Sequence, residues 1–396
     1  MKKLIVFILV LCFGFTTYAE DIEEPTEIYA QSAVLMDAES GRVLFEKNGT
    51  DRKAMASTTK IMTCIIALEK GNLEEVVTFS KEAASQPKVH LGASLNEQFY
   101  LEDLLYSLML ESHNDSAVAI AESVSGSVEA FAQNMNQKAK EIGCENSYFI
   151  TPNGLDASDD GGVHSTTAVD LARIMSYCIT KSPQKEKFLE ITQTSDYSFS
   201  NLEGNKSYSC YNHNTFLSMM PEAISGKTGY TSDAGYCYVG AVESEGRTFV
   251  VSLLACGWPN NKNYKWSDMR KIVEYAMEAY HYKTIDTFPD TENAIILNGI
   301  PKSNELFEEA KVSTKIDDQN EKIVCLVKDS EEIHYLIEQK ETLEAPVMQG
   351  DKIGEIIYYL DEEEIASYPI RIQETIEEKE FAWYFLKVCE KYIMKN

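Results

Sequence analysis

Apolar residues spaced three and four apart mark the first strong element of the chain. Ile61, Cys64, Ile65 and Leu68 share one helical face. The run from Ile61 to Leu68 is apolar almost throughout, which predicts a buried helix. The polar stretch Ala56-Ser57-Thr58-Thr59-Lys60 precedes it and places Ser57 in its first turn. Upstream, Ala33-Val34-Leu35-Met36 and Arg42-Val43-Leu44-Phe45 flank Ala38-Glu39-Ser40-Gly41, the pattern of a hairpin. Leu101 to Leu110 and Ala117 to Val124 read as two helices interrupted by the polar segment Glu111-Ser112-His113-Asn114-Asp115. Val128 to Ile142 is amphipathic, and Thr167 can cap a helix from Ala168 to Cys178. Tyr236 to Val242 and Arg247 to Cys256 form a second, largely buried hairpin around Glu243-Ser244-Glu245-Gly246. A helix from Trp266 to about Tyr280 closes this region.

After Lys283 the pattern changes to short apolar runs between charged turns: Ala294 to Leu297, Ile323 to Val327, His334 to Ile337, Ile353 to Tyr359 and Tyr368 to Ile372. This is the texture of a small all-β domain. The last stretch is helical again. Phe381, Phe385, Val388, Tyr392 and Ile393 fall on one face, and Lys387, Lys391 and Lys395 on another. Trp383 and Tyr384 suit a membrane interface, so the helix is expected to lie on a membrane surface. Docking on the β domain is the alternative.

The N-terminus carries a different signal. Met1-Lys2-Lys3, an apolar run from Leu4 to Phe15, and small residues at Thr17 and Ala19 describe a secretory leader ending at Ala19. The expected organisation is therefore a signal peptide at 1–19, a first domain at 20–283, a β-rich domain at 284–376 and an amphipathic helix at 377–396. Removing the leader takes away Lys2 and Lys3 and no acid, leaving 34 basic against 63 acidic residues. So acidic a chain is a poor partner for nucleic acid. Eight cysteines remain after the leader, without a Cys-x-x-Cys pair, so zinc is not expected. Most lie in apolar runs and read as small core residues.

Candidate chemistry begins at Ser57. On a helix, Ser57 and Lys60 share a side, and a hydroxyl beside an amine is a nucleophile with its own base. The pair is short, and Ser-x-x-Lys recurs at Ser85 to Lys88 and at Ser182 to Lys185. Two further motifs follow in order: Ser112-His113-Asn114, with Ser94-Leu95-Asn96 as a competing match, and a single Lys227-Thr228-Gly229 at the head of a buried strand. Ser-x-x-Lys, Ser-x-Asn and Lys-Thr-Gly in this order characterise penicillin-binding proteins and class A β-lactamases. No Gly-x-Ser-x-Gly elbow or His-Glu-x-x-His pair is present.

At these residues the chain resembles the low-molecular-mass penicillin-binding proteins, the serine D-alanyl-D-alanine carboxypeptidases of peptidase family S11. The resemblance spans the opening hairpin, Ala56 to Lys60, the turn Asn153-Gly154-Leu155-Asp156, Gly226 to Thr231, the β domain and the final helix. It implies an α+β fold: a transpeptidase/β-lactamase-like domain, an antiparallel sheet with helices, followed by a small all-β domain and the C-terminal amphipathic helix. It implies removal of the terminal D-Ala from peptidoglycan stem pentapeptides, inhibition by β-lactams, and a location at the outer face of the cytoplasmic membrane. By the same resemblance Ser57 is the nucleophile, Lys60 its base and Ser112 a proton relay. Asn114 holds the substrate amide, Lys227 and Thr228 face the terminal carboxylate, and Gly229 and Tyr230 are substrate-binding. The backbone N–H groups of Ser57 and Tyr230 form the oxyanion hole. The family often has an arginine beyond the second strand. Lys265 stands there in this chain and lacks the bidentate fork. No metal or organic cofactor is implied. The rival readings are a β-lactamase, for which no Glu-x-x-Leu-Asn pattern lies between Asn114 and Lys227, and a catalytically idle peptidoglycan-binding protein.

Overall fold

The computed structural model describes residues 22–286, 288–317 and 322–392. The expected leader at 1–19, and Ile393 and Lys395 of the final helix, lie outside the described residues. Residues Ile22–Ala279 form one compact unit, and the chain from Tyr280 onward belongs to a second.

The first unit is built around five antiparallel strands: β1 (Ser32–Asp37), β2 (Val43–Lys47), β3 (Ala223–Thr231), β4 (Gly235–Ser244) and β5 (Arg247–Leu254). Their order is β2-β1-β5-β4-β3, so β3 is an edge. The register pairs Leu35 with Val251 and Lys227 with Val239. Side chains alternate across the sheet. Val34, Met36 and Val250 join the large core beneath one face. Ala33, Leu35, Val251 and Leu253 are equally buried. Two helices, α5 (Ala168–Ser176) and α7 (Tyr264–Ala279), each pack on β1, β4 and β5. With both faces covered, these strands are apolar runs rather than half-polar ribbons.

The helical part surrounds α1 (Lys60–Lys70), which is buried at every position from Lys60 to Leu68, as its pattern predicts. Around it lie α2 (Leu101–Tyr106), α3 (Asn114–Ser125), α4 (Val128–Ile142) and α6 (Lys185–Gln193). Thr167 caps α5 as expected, its hydroxyl accepting from the Asp170 N–H at 3.1 Å. Two sequence expectations are refined. Ser57 sits in a single 3₁₀ turn, Ala56–Thr59, that runs into α1. The interruption expected at Glu111 to Asp115 shrinks to Ser112 and His113. A π-turn, Ser107–Glu111, extends α2, and Asn114 already opens α3. Polarity marked the break but could not show that the backbone stays helical on either side.

The second unit is β-rich, as its short apolar runs predict. A four-stranded antiparallel sheet orders Thr314–Ile316, Glu363–Ile372, Lys352–Leu360 and Ile333–Gln339. Ile356, Tyr358, Ile370 and Ile372 centre its core. The final helix, α8 (Phe381–Tyr392), turns Phe381, Tyr384, Phe385 and Val388 outward, with exposures of 83, 41, 59 and 43%. Its other side meets the unit: Trp383 Nε1 donates to Asn304 Oδ1 at 2.8 Å, and Lys391 Nζ lies 4.8 Å over the Phe307 ring. Among the described residues no helix is long and apolar enough to cross a membrane.

Candidate active site

In a 3₁₀ turn, side chains three apart eclipse one another. That geometry, at the junction of the turn with α1, sets Lys60 Nζ 2.9 Å from Ser57 Oγ. Two other acceptors surround the amine: Asn114 Oδ1 at 2.9 Å and the Asn153 carbonyl at 2.7 Å. Lys60 has no solvent exposure. Burial holds its pKa well below the usual lysine value, the positive charge of Lys227 lowers it further, and Asp115 opposes both. An ammonium would donate to all three partners. A neutral amine keeps two donors and one lone pair, and two of the three partners are carbonyls that only accept. Ser57, the one hydroxyl, is therefore the only partner that can hand Lys60 a proton.

The second motif comes from the break between α2 and α3. The π-turn leaves Ser112 in the left-handed region, φ +66°, and half-buried beside the cleft. Lys227 Nζ donates to its hydroxyl at 3.0 Å and to the Thr228 carbonyl at 3.0 Å. Lys227, on β3, is buried, and that burial pulls its pKa down to about 7. Asn114 is engaged at both ends, its Nδ2 donating to the Pro87 carbonyl at 3.1 Å. His113 is buried against Ser107 Oγ at 2.8 Å, in keeping with a structural role.

Gly229 explains how β3 reaches Ser57. A methyl group there would lie 2.9 Å from Ser57 N and 3.0 Å from Thr58 N, so only glycine lets the strand pass this close. Tyr230 follows, its side chain exposed and its ring 4.7 Å from that of Tyr236. Ser57, Ser112, Thr228, Gly229, Tyr230 and Lys265 all line one cleft of about 1070 Å³. Lys262, Arg270 and His213 add to its wall, and Glu111 is the one carboxylate among the lining residues. A cationic cleft in a chain of net charge −27 points to an anionic substrate. Lys265, on α7, donates to the Lys262 carbonyl at 2.5 Å and lies 4.8 and 4.5 Å over the rings of Tyr236 and Trp266. Burial lowers its pKa to about 8.

The competing motifs go elsewhere. The Ser85 hydroxyl donates to the Glu82 carbonyl, that of Ser182 to Glu69, and Ser94 meets Lys206. Three participants were not legible beforehand. Asn153 contributes only its carbonyl, an atom every residue has, so no side chain announces it. Asp115 accepts from the N–H groups of Leu91 and Gly92 at 2.8 and 2.9 Å, fixing the loop that brings Val89 to the cleft. His164 lies beneath the Ala56–Thr59 turn, its Nε2 2.9 Å from Thr59 Oγ1.

The family model for D-alanyl-D-alanine carboxypeptidases, peptidase S11, matches residues 19–255, and that for the C-terminal domain of penicillin-binding protein 5 matches residues 308–378. The chain is 29% identical over 396 residues to D-alanyl-D-alanine carboxypeptidase DacF of Bacillus subtilis, covering 96% of this chain and 95% of the relative. It is 29% identical over 381 residues to DacA of Haemophilus influenzae, covering 92 and 90%. The crystal structure of penicillin-binding protein 5 from Haemophilus influenzae superposes with a TM-score of 0.68 at 25% identity, over 90% of this chain and all of that one. Penicillin-binding protein D2 of Listeria monocytogenes, solved in its cefotaxime-bound form, superposes with a TM-score of 0.56 at 25% identity, over 64% of this chain and 99% of that one.

Proposed function

Because the chain belongs to the D-alanyl-D-alanine carboxypeptidase family, peptidase S11, we propose that Ser57, Lys60 and Ser112 carry out its reaction on peptidoglycan stem peptides. The enzyme is a serine D,D-carboxypeptidase. The observation that carries the residue assignment is the amine of Lys60, buried, 2.9 Å from Ser57 Oγ and otherwise faced by carbonyls alone.

Neutral Lys60 takes the Ser57 proton as Oγ attacks the carbonyl of the penultimate D-Ala. The oxyanion forms against the N–H groups of Ser57 and Tyr230, which Gly229 allows to approach. The C–N bond then breaks, and the proton taken up by Lys60 passes to the departing amine through the Ser112 hydroxyl, which Lys227 holds at 3.0 Å, leaving Lys60 neutral again. D-Ala leaves. Water, deprotonated by the same base, attacks the acyl-enzyme and frees Ser57. The free edge of β3 can accept the extended peptide as a further strand. Thr228 and the ammonium groups of Lys227 and Lys265 hold the terminal carboxylate, and Asn114 holds the peptide amide.

The same reading places the enzyme outside the cytoplasmic membrane, exported by the leader at 1–19 and held at the surface by residues 377–396. The outward row Phe381, Tyr384, Phe385 and Val388 supports that anchor.

The test is a peptide ending in D-Ala-D-Ala, with free D-Ala quantified and penicillin acylation followed by intact mass. D-Ala release with a slowly cleared adduct on Ser57 is expected, and Ser57→Ala abolishes both without loss of fold. Full penicillin labelling of Ser57→Ala rejects the assignment. A rapidly cleared adduct without D-Ala release identifies a β-lactamase instead.

A further inference from the structure

We propose that His164 is a positioning residue that sets the geometry of Ser57 and Lys60 together, by riveting the nucleophile's turn to the loop whose carbonyl receives Lys60 Nζ. The proposal rests on Ser57 as nucleophile.

The hydrogen bonds of His164 fix its tautomer. Nδ1 lies 3.0 Å from the Ile150 N–H and 3.4 Å from that of Thr151, and both can only donate to it. The ring proton therefore sits on Nε2, which is 2.9 Å from Thr59 Oγ1 and donates to it. The Thr59 hydroxyl passes its own proton to the Ala56 carbonyl at 2.9 Å. Donors and acceptors run in one direction through the chain, from the Ile150 N–H to Ala56 O, and none is left over. Burial of the imidazole, which is 1% exposed, lowers its pKa to about 4, so it stays neutral.

Both ends of this chain matter to the reaction. At one end, Ala56 is held at φ +48°, a backbone conformation alanine disfavours, immediately before Ser57. The Thr59 hydroxyl donates to its carbonyl at 2.9 Å and ties down the peptide that leads into Ser57. At the other end, Ile150 and Thr151 open the turn that presents Asn153 O to Lys60 Nζ at 2.7 Å. Gly154 shows how tightly the two parts meet, because a methyl group there would fall 2.0 Å from Ala56 O and 2.9 Å from Thr59 Oγ1. One buried imidazole thus fixes the nucleophile from behind and the base from its far side, without touching substrate.

The experiment uses the full chain, a fluorescent penicillin and rapid-mixing acylation kinetics, with thermal melts alongside. Thr59→Val keeps the volume and removes the hydroxyl. Its acylation rate is expected to fall about 10- to 100-fold, the scale of an ångström-sized misplacement, in the covalent step rather than in initial binding. His164→Leu should match it. Thr59→Ser and His164→Gln, which restore a donor and an acceptor, should return to within about threefold. If His164→Leu fails to fold, Thr59→Val still decides. Wild-type acylation by Thr59→Val, or equal losses for His164→Gln and His164→Leu, overturns the positioning role alone. Absence of any adduct on Ser57 in the wild type overturns the nucleophile assignment and this proposal with it.

Discussion

Lys60 and Phe381 sit at opposite extremes of exposure, 0 and 83%, each on the side of the surface its residue type avoids. In the unit at 22–279, burying Lys60 in an apolar interior works against folding unless the charge is lost or every donor is met. The fold does both, lowering the amine's pKa and surrounding it with three acceptors. In the second unit, leaving Phe381 and Phe385 outside forgoes about 2 kcal/mol each that burial would contribute. The β core there is complete without them. The first inversion supports the proposed base, and the second leaves a surface that apolar matter can cover. Departures from the inside-outside rule thus underlie the proposed base in one unit and the proposed attachment in the other, and the two are separable by mutation.

The largest test strikes the buried amine. Lys60→Arg keeps the charge and removes the ability to lose it, since a guanidinium does not deprotonate in proteins. Turnover should fall by about 10²- to 10⁴-fold, the usual contribution of a positioned general base. Partition to membranes should not change. Near-normal hydrolysis by this variant would dismiss Lys60 as the base.

Next in size is the exposed face. Truncation after Glu378 removes α8 and should cut binding to anionic or zwitterionic vesicles by more than about tenfold, the effect of losing a buried apolar stripe. D-Ala release from a soluble peptide should stay as it was. Flotation assays decide this: a truncated protein that still floats with the vesicles shows that another surface attaches the enzyme.

Much of this contrast can be read from the sequence. The period of three and four at Ile61, Cys64, Ile65 and Leu68 predicts α1, and the same spacing at Phe381, Phe385 and Val388 predicts α8. Residue type in order identifies Ser57, Lys60, Ser112 and Lys227 as candidates. What stays hidden is anything set by backbone. The 3₁₀ turn that eclipses Ser57 with Lys60, the π-turn that turns Ser112 to φ +66°, and the Asn153 carbonyl carry no side-chain signature. His164 is a lone histidine in a loop until the chain closes around it.

A smaller effect sharpens the view of the buried charges. Lys60 has to be neutral, so activity is lost as pH falls through its lowered pKa. Lys227 and Lys265 have to be charged to hold a carboxylate, so affinity is lost as pH rises through about 7 and about 8. The expected profile of kcat/KM is a bell whose alkaline limb falls about tenfold per pH unit, reporting groups of the free enzyme. A plateau extending past pH 9 would mean that neither ammonium is needed for binding.

The smallest effect concerns Lys265, which is buried but whose charge has an alternative partner. In the free enzyme its ammonium donates to the Lys262 carbonyl and faces the rings of Tyr236 and Trp266, so part of its attraction is already satisfied. A carboxylate has to draw it away and meets a single point charge when it does. Lys265→Arg offers a planar fork that can stay on the rings while two N–H groups reach the carboxylate. It also keeps its charge above pH 8, where the lysine begins to lose it. KM should fall about two- to fivefold with kcat unchanged, the signature of binding that is equal in ground and transition states. Lys265→Met, which retains the stem and removes the charge, should raise KM by about tenfold, near the low end of the about 1.5–3 kcal/mol of a hydrogen bond to a charged group. Should both variants bind as the wild type does, the carboxylate is held by Lys227 and Thr228 alone, and Lys265 serves to pack α7 against the cleft wall.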